Sequence, residues 1–329
     1  MRNVLVVGGA GYVGGATIDA LVEAGYRVRC FDNLLYEETY RKPIDFAYGD
    51  VRDHDTLRPH LDWADSVVWL AAIVGDKACA LNPDLAVEVN QRSLQWLATT
   101  FRGRIVFTST CSVYGAKSGL LTEESPLRPL SLYASTKVAA DRSIMDAHAN
   151  AAVFRLGTLF GVGDTYSRIR LDLVVNTLTA RAFTAGQITI FGGDQFRPLL
   201  HVRDAAAAIV AAVRSDCRGL FNLQAVNMRI SDIAEVLRRH FPRLQVECIE
   251  VPTQETRNYR VSDEKARRAF DFAPTRSVDD GIVELRALLE QARIKDVSNR
   301  RYSNEQFLAA ARATNGASSH KSLSPTYAT

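Results

Sequence analysis

The sequence has no marked excess of charge of either sign: 40 lysines and arginines stand against 37 aspartates and glutamates, which gives a net charge of +3. So small a charge argues against nucleic acid or an acidic membrane surface as a partner. Cysteine is also scarce, and the five cysteines show neither the short spacing of metal ligands nor the pattern of a disulfide framework. We therefore expect free thiols, no metal site and a reducing, cytoplasmic location.

Long apolar runs are missing as well. The N-terminal stretch MRNVLVVGGAGYVGG has an apolar run of only about five residues before its glycines, too short for a signal peptide or a membrane span. The chain is 47% hydrophobic and 23% charged, which is an ordinary globular composition. Its 329 residues are enough for one large core or two smaller ones.

What the first half does contain is a regular alternation of strand-like and helix-like segments. Short segments rich in valine and isoleucine predict strands over 3–8, 27–32, 44–50, 66–72, 104–110 and 151–157, and amphipathic segments predict helices over 12–24, 84–101 and 130–150. This alternation predicts an α/β fold with a doubly wound parallel sheet of the Rossmann type.

The regularity falls after about residue 161. Helical patterns over 168–184, 202–214, 231–240 and 277–293 are separated by strand-like pieces at 188–192, 219–224 and 245–251. We expect residues 1–160 to form a nucleotide-binding domain, and residues 161–300 a smaller α/β substrate lobe that is partly interleaved with it. Residues 315–329 are rich in serine, threonine and glycine without periodicity, and they are predicted to be disordered.

Three glycines, Gly8, Gly11 and Gly14, lie between the first predicted strand and the first predicted helix. Gly8 permits a tight turn, Gly11 lets a pyrophosphate approach the backbone at the helix N-terminus, and Gly14 lets helix and strand pack closely. A glycine triplet alone is also found in ordinary turns, but its strand–turn–helix context here favours dinucleotide binding.

Two carboxylates follow later strands. Asp32 ends the second predicted strand, where a carboxylate binds ribose hydroxyls and repels a 2′-phosphate, so it favours NAD over NADP; the alternative is that it caps a turn. Asp50 follows the third strand and is a candidate for the adenine amino group, with Val51 packing on the ring. The alternative for Asp50 is the N-cap of a helix that starts near Asp53.

Taken together, these motifs resemble those of the extended short-chain dehydrogenase/reductases, and among them the NAD-dependent epimerase/dehydratases of nucleotide sugars. The matching elements are the glycine motif, Asp32, GDVRD at 49–53, LAA at 70–72, TSTCSVYG at 108–115, YASTK at 133–137 and FRPLLHVRDAAAAI at 196–209. The resemblance covers about residues 1–210. It implies NAD as the cofactor, bound by the glycines, Asp32, Asp50, Val51 and a further set of residues: Tyr12, Val13, Asn33, Leu70, Ala71, Ala72, Tyr133 and Lys137.

The resemblance also implies a catalytic group. Tyr133 and Lys137 are four residues apart on a predicted helix, so they share one face; without the other motifs they would be a half-buried tyrosine and a surface lysine. The ammonium and the positive nicotinamide ring would favour the phenolate of Tyr133, which could then remove a proton from a sugar hydroxyl. In the family pattern Thr110, at the end of the fifth strand, hydrogen-bonds the reacting hydroxyl.

Positions 111 and 112 narrow the reaction. The sugar 4,6-dehydratases resemble TDEVYG in this loop, where aspartate and glutamate eliminate water, whereas this chain has Cys111 and Ser112. Neither side chain is a useful acid or base for elimination at neutral pH. We therefore expect no dehydratase activity. The leading expectation is an NAD-dependent nucleotide-sugar 4-epimerase; the alternatives are a 4-ketoreductase of a nucleotide-linked deoxysugar and a cofactor-sensing protein without catalysis.

Four further residues are expected to contact the substrate together with Thr110. Arg197 matches the arginine that the family uses on the nucleotide diphosphate, and Asn176 matches a substrate-contacting position. Thr158, in RLGTLFG, replaces the asparagine of the epimerase pattern RYFNVYG, so the sugar pocket departs from the usual one. Arg257 is a candidate second phosphate ligand, although PTQE stands where the epimerases often show RPGD.

The last expectation concerns assembly. Segments 84–101 and 130–150 carry more apolar residues than one buried stripe needs, which indicates a second partner for each helix. The resemblance implies a homodimer joined by a four-helix interface. The alternative is that both stripes pack inside the core of one chain. The apolar residues concerned are Leu85, Val87, Val89, Leu94, Trp96, Leu97, Leu132, Val138, Ala139, Ile144 and Met145.

Overall fold

The computed structural model describes residues 2–117, 119–166, 168–250 and 258–317. Its strands are β1 (Asn3–Val7), β2 (Arg27–Asp32), β3 (Asp45–Tyr48), β4 (Ser66–Trp69), β5 (Arg104–Thr110), β6 (Leu120–Leu121), β7 (Ala151–Leu156), β8 (Thr158–Phe160), β9 (Gln187–Phe191), β10 (Phe196–His201), β11 (Gly219–Leu223), β12 (Val226–Arg229), β13 (Gln245–Ile249) and β14 (Arg260–Val261). Its α-helices are α1 (Tyr12–Glu23), α2 (His54–Trp63), α3 (Asp76–Leu81), α4 (Pro83–Val87), α5 (Ser93–Thr100), α6 (Leu132–Ala147), α7 (Val174–Ala185), α8 (Val202–Arg214), α9 (Ile230–His240), α10 (Glu264–Phe270), α11 (Val278–Glu290) and α12 (Asn304–Ala317). In this described part of the chain, no helix has the length and apolar character to cross a membrane.

Seven strands form one parallel sheet in the spatial order β11, β7, β5, β4, β1, β2, β3. The order reverses between β1 and β4, because β2 and β3 extend the sheet on one side and the later strands extend it on the other. In such sheets, ligands bind in the crevice at the carboxyl ends of the strands where the order reverses. The predicted doubly wound α/β sheet is confirmed, and the glycine motif lies at this crevice.

The central strands are buried on both faces, which explains why their sequences are continuously apolar. In β1, Val4 and Val6 pack against the cluster that includes Ile18 of α1, whereas Leu5 and Val7 pack into the cluster on the other face. Helices α1 and α8 cover the first face, and α2, α5 and α6 cover the second. The sheet is thereby sandwiched between two helical layers, which leaves its carboxyl edge as the place for a site.

A smaller lobe forms beyond β8. Strand β10 lies between β8 and β12, β9 pairs with β13, and helices α7, α9 and α11 surround a separate apolar core. The predicted strands at 188–192 and 245–251 correspond to β9 and β13, whereas β10 and β12 were not predicted. The predicted strand at 219–224 is β11, which pairs with β7 at the edge of the seven-stranded sheet. Helix α8 and strand β11 therefore belong to this sheet and its helical layers although they follow the start of the smaller lobe. The domain boundary after residue 160 stays a prediction.

One predicted helix begins later than expected. The sequence pattern predicted a helix over 168–184, but α7 begins at Val174 and residues 168–173 are not helical. Ile169 and Leu171 pack into an apolar cluster, whereas the charged residues that alternate with them line the cavity described below. The amide of Leu171 donates to the carbonyl of Tyr302 at 2.9 Å. Alternation with a period of two belongs to an extended segment, so the helical interpretation of these residues was wrong.

Other helices differ from the prediction in smaller ways. Helices α3, α10 and α12 were not predicted, and the long helix expected over 84–101 contains a π-helical turn at Glu88–Arg92 between α4 and α5. Helix α12 ends at Ala317. The first three residues of the predicted disordered tail, 315–317, are therefore helical, which corrects that boundary, and residues 318–329 lie outside the described residues.

The two helical segments predicted to form a dimer interface are packed mainly within one chain. All eleven of their named apolar residues are buried or half-buried in the single chain. The ring of Trp96 stacks on that of His54 in α2, with the ring centroids 4.0 Å apart. This packing favours the alternative that one core accommodates both stripes, and the homodimer stays a prediction.

Candidate active site

A cavity of about 650 Å³ opens at the carboxyl edge of the parallel sheet. It is lined by every residue predicted for the cofactor, and by the predicted residues Thr110, Thr158, Tyr133 and Lys137. These residues come from the ends of β1, β2, β3, β4 and β5, from the start of α1 and α6, and from β8. The fold therefore brings together groups that are up to about 150 residues apart in the sequence.

The glycine turn has a shape that side chains would destroy. A Cβ on Gly8 would lie 2.5 Å from the amide nitrogen of Ala71, and one on Gly14 would lie 2.4 Å from the carbonyl oxygen of Gly8. Gly8 also has φ of +86°, a backbone conformation that favours glycine. A Cβ on Gly11 would meet only the Gly8 oxygen, at 3.3 Å, so this position is less crowded than Gly8 or Gly14. The turn is thus a backbone surface that a ligand can approach closely.

Asp32 is held with its carboxylate at the edge of this turn. One oxygen accepts from the amide of Ala10 at 3.0 Å, and the other accepts from the amide of Leu34 at 2.8 Å. Burial raises the pKa of Asp32, against the lowering effect of these amides. Arg29, which lies in β2 three residues before Asp32, does not contribute to this edge of the cavity. It forms an ion pair with Asp45 at 2.7 Å.

Asp50 is not the helix cap that the alternative interpretation proposed. The N-cap of α2 is Asp53, whose carboxylate accepts from the amide of Thr56 at 3.1 Å. Asp50 instead forms an ion pair with Arg52 at 2.7 Å and borders the cavity beside Val51. The capping alternative is therefore wrong, and a role for Asp50 at the adenine stays a prediction.

Tyr133 lies in the first turn of α6, which begins two residues later than expected. The hydroxyl of Ser131 caps this helix by accepting from the amide of Ala134 at 3.2 Å. Burial raises the pKa of Tyr133 above its ordinary value; the charge of Arg170 and the nearby Thr110 side chain act in the opposite direction. Thr110 and Tyr133 thus border the same cavity, the contact of Thr110 with a sugar hydroxyl stays a prediction, and the cation that acts on the phenol is one that the sequence did not suggest.

Lys137 is buried beneath this pair. Its Nζ donates to the carbonyl of Thr108 at 2.9 Å and lies 4.6 Å from the ring centre of Phe107. Burial lowers the pKa of Lys137 to about 8, although Asp141 and Cys79 act to raise it. The ammonium was predicted to favour the phenolate, but it is not among the strongest influences on the pKa of Tyr133.

The loop after β5 holds no acid and base for elimination. The thiol of Cys111 donates to the carbonyl of Arg155 at 3.1 Å, and burial raises the pKa of this thiol. Cys111 belongs to a small apolar cluster and does not border the cavity, whereas Ser112 does. The absence of 4,6-dehydratase activity stays a prediction.

Three of the predicted substrate residues lie away from the cavity or cannot be placed. The side chain of Asn176 is buried and supports a loop: it accepts from the amide of Gly161 at 2.9 Å and donates to the carbonyl of Arg170 at 2.8 Å. Arg197 does not line the cavity, and it donates to the carbonyl of Phe196 at 2.9 Å. Arg257 lies outside the described residues. Contacts of these residues with a substrate stay predictions.

The wall opposite the glycine turn was missed. It consists of Arg168, Arg170 and Asp172 before α7, together with residues 303–305 at the start of α12. Asn304 joins both halves of the chain, because its side chain donates to the carbonyl of Val74 at 2.8 Å and its amide donates to Asp172 at 2.8 Å. The alternating sequence RIRLD at 168–172 was the signal that would have indicated an extended segment with one charged face.

Comparisons with known proteins agree with this geometry. The profile of the NAD dependent epimerase/dehydratase family matches residues 4–223. The UDP-glucose 4-epimerase of Streptomyces lividans is 30% identical over 237 residues, which cover 64% of this chain and 71% of that protein. UDP-glucuronic acid decarboxylase 1 of Arabidopsis thaliana is 27% identical over 301 residues, which cover 85% of this chain and 68% of that protein.

Solved structures show the same fold. The UDP-glucuronic acid 4-epimerase from Bacillus cereus, in complex with UDP-glucuronic acid and NAD, matches with a TM-score of 0.76 at 24% identity, covering 88% of this chain and 99% of that chain. A hexosamine 5,6-dehydratase involved in tunicamycin biosynthesis matches with a TM-score of 0.77 at 23% identity, covering 90% of this chain and 100% of that chain.

The cofactor is NAD, and the cavity fits it. The turn at Gly8 and Gly14 leaves no room for side chains, so a pyrophosphate can approach the backbone at Gly11 and the start of α1. Each carboxylate oxygen of Asp32 takes one amide hydrogen and keeps a lone pair for a ribose hydroxyl. The hydroxyl of Tyr36, which also borders the cavity, is buried without a hydrogen-bond partner among the described residues.

Proposed function

This chain belongs to the NAD-dependent epimerase/dehydratase family, and on that premise we propose that it is a nucleotide-sugar 4-epimerase. One observation supports this proposal most: the cavity holds Thr110, Tyr133 and Lys137 together, while Cys111 is buried with its thiol on a carbonyl. The site thus offers a base for a sugar hydroxyl but no acid and base for the loss of water. Oxidation and reduction at one sugar carbon need only the first of these.

In the proposed reaction, NAD held by the glycine turn and Asp32 would supply the hydride acceptor and donor for the sugar C4. The Thr110 hydroxyl hydrogen-bonds the C4 hydroxyl and orients it towards Tyr133. The phenolate of Tyr133 takes the hydroxyl proton as the carbonyl forms, and the phenol gives it back when the carbonyl is reduced. Reduction of the C4 carbonyl on its other face would give the epimer. Lys137 is proposed to hold the nicotinamide ribose from below.

The start of α12 supports a reaction in which the cofactor stays bound. Arg301 pairs with Glu37 at 3.4 Å beside β2, and the ring of Phe307 lies 5.3 Å from that of Tyr36. With the contact from Asn304 to Val74, this segment borders the cavity and is joined to the loops after β2 and β4. A cofactor retained by these contacts would suit an epimerase, which oxidises and re-reduces its substrate on one bound cofactor. A ketoreductase, which must exchange its cofactor in every turnover, would need this segment to open.

The experiment that tests the proposal is a screen of nucleotide sugars without added cofactor. UDP-glucose and UDP-glucuronic acid come first, because named relatives act on or bind them. We expect the C4 epimer to appear by nuclear magnetic resonance, with no need for added NADH. Turnover of a 4-keto sugar only in the presence of stoichiometric NADH would support the ketoreductase instead. Loss of carbon dioxide from UDP-glucuronic acid would indicate a decarboxylase, as in the plant relatives.

Assembly as a homodimer is part of the proposal. Its support within the molecule is limited to the six half-buried apolar residues of the two helical segments: Leu85, Val87, Trp96, Leu132, Ala139 and Met145. Sedimentation equilibrium at micromolar concentration should give twice the chain mass of 36.3 kDa. A single species at the chain mass would contradict the dimer without affecting the proposed reaction.

A further inference from the structure

Arg170 presents a fixed guanidinium edge to the cavity. Its Nε and Nη2 donate to the two carboxylate oxygens of Asp172 at 2.9 and 3.0 Å, and Asp172 is held in turn by the amide of Asn304. The side chain of Arg170 is only 12% exposed and borders the cavity. Its Nη1 has no hydrogen-bond partner among the described residues. The arginine is therefore oriented in advance, with N–H groups left for a ligand.

The hydrogen bonds of the second lobe place Arg170 beside the N-terminus of α1. The hydroxyl of Tyr12, the first residue of α1, donates to the carbonyl of Gly161 at 2.7 Å. The side-chain Nδ2 of Asn176 donates both to that carbonyl, at 3.2 Å, and to the carbonyl of Arg170, at 2.8 Å. The charge of Arg170 also lowers the pKa of Tyr12, although burial raises this pKa more strongly. Arg170 and the start of α1 thus face the same part of the cavity.

The other cations that border the cavity differ from Arg170 in pairing, exposure or position. The glycine turn itself, residues 8–14, contains no lysine or arginine. Arg168 donates through Nε and Nη2 to the carbonyl of Arg301, and Lys77 is 79% exposed and pairs with Glu305. Lys137 donates to the carbonyl of Thr108 and is proposed to hold the nicotinamide ribose. Arg52 is held by Asp50 through Nε and Nη2, as Arg170 is by Asp172, but its side chain is 48% exposed. Among the described arginines that line the cavity, Arg170 is the one that is largely buried and keeps Nη1 without a hydrogen-bond partner.

We propose that Arg170 binds the diphosphate of NAD from the side opposite the glycine turn. The N-terminus of α1 supplies about half a positive charge, whereas a dinucleotide diphosphate carries two negative charges. The planar fork of arginine matches two phosphate oxygens. The inference rests on NAD as the cofactor and not on the 4-epimerase reaction. A nucleotide sugar also carries a diphosphate, so the experiment separates the two ligands.

The test is calorimetric titration of the cofactor-free protein, in which Arg170→Met removes the guanidinium and keeps an apolar chain of similar length. NAD and ADP-ribose should each bind about tenfold to a hundredfold more weakly to this variant, the usual range for a charge-assisted hydrogen bond. Adenosine, which lacks phosphate, should bind as it does to the unchanged protein. Arg170→Lys keeps the charge without the fork and should recover part of the lost affinity.

Two controls make the result decisive. Arg181→Met removes one exposed arginine from α7 and should leave the affinity for NAD unchanged. UDP, as a probe of the substrate diphosphate, should bind equally to Arg170→Met and to the unchanged protein. Unchanged affinity for ADP-ribose in Arg170→Met would overturn the proposal, and so would an equal loss for adenosine or a loss confined to UDP. If Arg170→Met does not fold, the same comparison of ADP-ribose with adenosine in Arg170→Lys decides.

Discussion

The two walls of the cavity are built by different means. The wall at Gly8, Gly11 and Gly14 is backbone, and its shape depends on atoms that are absent, since a Cβ on Gly14 would meet the Gly8 oxygen at 2.4 Å. The opposite wall consists of side chains, and it depends on contacts such as Arg170 to Asp172. Substitutions that add atoms should therefore disrupt the first wall, whereas substitutions that remove side-chain atoms should disrupt the second. A bound ligand would pack closely on the backbone of the first wall and interact with charged side chains of the second.

The largest effect on turnover is expected from substitution of Tyr133, which lies between the two walls. Tyr133 borders the cavity beside Thr110 at the end of β5, and the charge of Arg170 in the opposite wall acts to lower its pKa against the larger effect of burial. Tyr133→Phe removes the proposed proton acceptor and should reduce turnover by at least about 10²-fold. Single-turnover and steady-state rates on the epimerised sugar measure this loss. Near-normal turnover, with NAD still bound, would contradict the proposed mechanism.

The next effect compares two glycines in the same turn. Gly14→Ala forces a Cβ against the backbone of Gly8 and should lower the free energy of unfolding by about 1–3 kcal/mol, the usual cost of overpacking. Gly11→Ala adds the same group where its one contact is at 3.3 Å, so its unfolding free energy should change little. Urea unfolding of both variants gives the comparison. Equal destabilisation of the two would show that the turn does not depend on space as described.

The third comparison concerns Asp32, at the end of the glycine wall, and its effect on the choice between NAD and NADP. Asp32→Ala removes the carboxylate that is predicted to bind the ribose hydroxyls and to repel a 2′-phosphate. Affinity for NAD should fall by about tenfold, the scale of one charged hydrogen bond, and the preference over NADP should narrow. Titration with both cofactors measures this. Tighter binding of NADP than NAD by the unchanged protein would show that Asp32 does not select the cofactor.

The glycine wall was predictable from the sequence because its parts are local. Gly8 to Gly14 lie within one strand–turn–helix unit, and Asp32 follows one strand later, so spacing alone indicates the arrangement. The proximity of Tyr133 and Lys137 was predictable for the same reason, since they share one helix. The position of Thr110 at the same cavity needed the resemblance, because Thr110 lies on a different element.

The opposite wall was not predictable because its parts meet only in the fold. Asn304 contacts Val74 and Asp172, which are 230 and 132 positions away. No local pattern encodes such contacts, and the apolar residues at 168–184 were assigned to a helix that actually begins at Val174. Asn176 and Arg197 show that a motif match alone does not place a side chain at the cavity. Both residues matched the family motifs, yet neither side chain lines the cavity.

A smaller effect, on the dissociation rate of NAD, is expected at Asn304, which joins the opposite wall to the loop after β4. Asn304→Ala removes the hydrogen bond to Val74 and the contact with Arg168, so the segment should open more often. We expect NAD to dissociate about fivefold faster, which corresponds to one ordinary hydrogen bond of about 1 kcal/mol. Stopped-flow displacement of bound NAD gives the rate. Gln306→Ala, an exposed position on the same helix, is the matched control and should leave the rate unchanged.

The smallest predicted effect is a pH dependence at the floor of the cavity, which belongs to neither wall. Burial lowers the pKa of Lys137 to about 8, with Asp141 and Cys79 acting in the opposite direction. The ammonium is the form proposed to hold the nicotinamide ribose, and it is lost as the pH rises through this value. The affinity for NAD should therefore fall with rising pH, by about fourfold between pH 7 and pH 8.5 if only the ammonium form binds. Burial raises the pKa of Cys79 to about 11, so its thiol stays protonated in this range.

Lys137→Met should bind NAD more weakly but without this pH dependence, because its side chain has no proton to lose. Calorimetric titrations at several pH values decide the matter, and a constant affinity of the unchanged protein across the range would show that the ammonium does not contribute to binding.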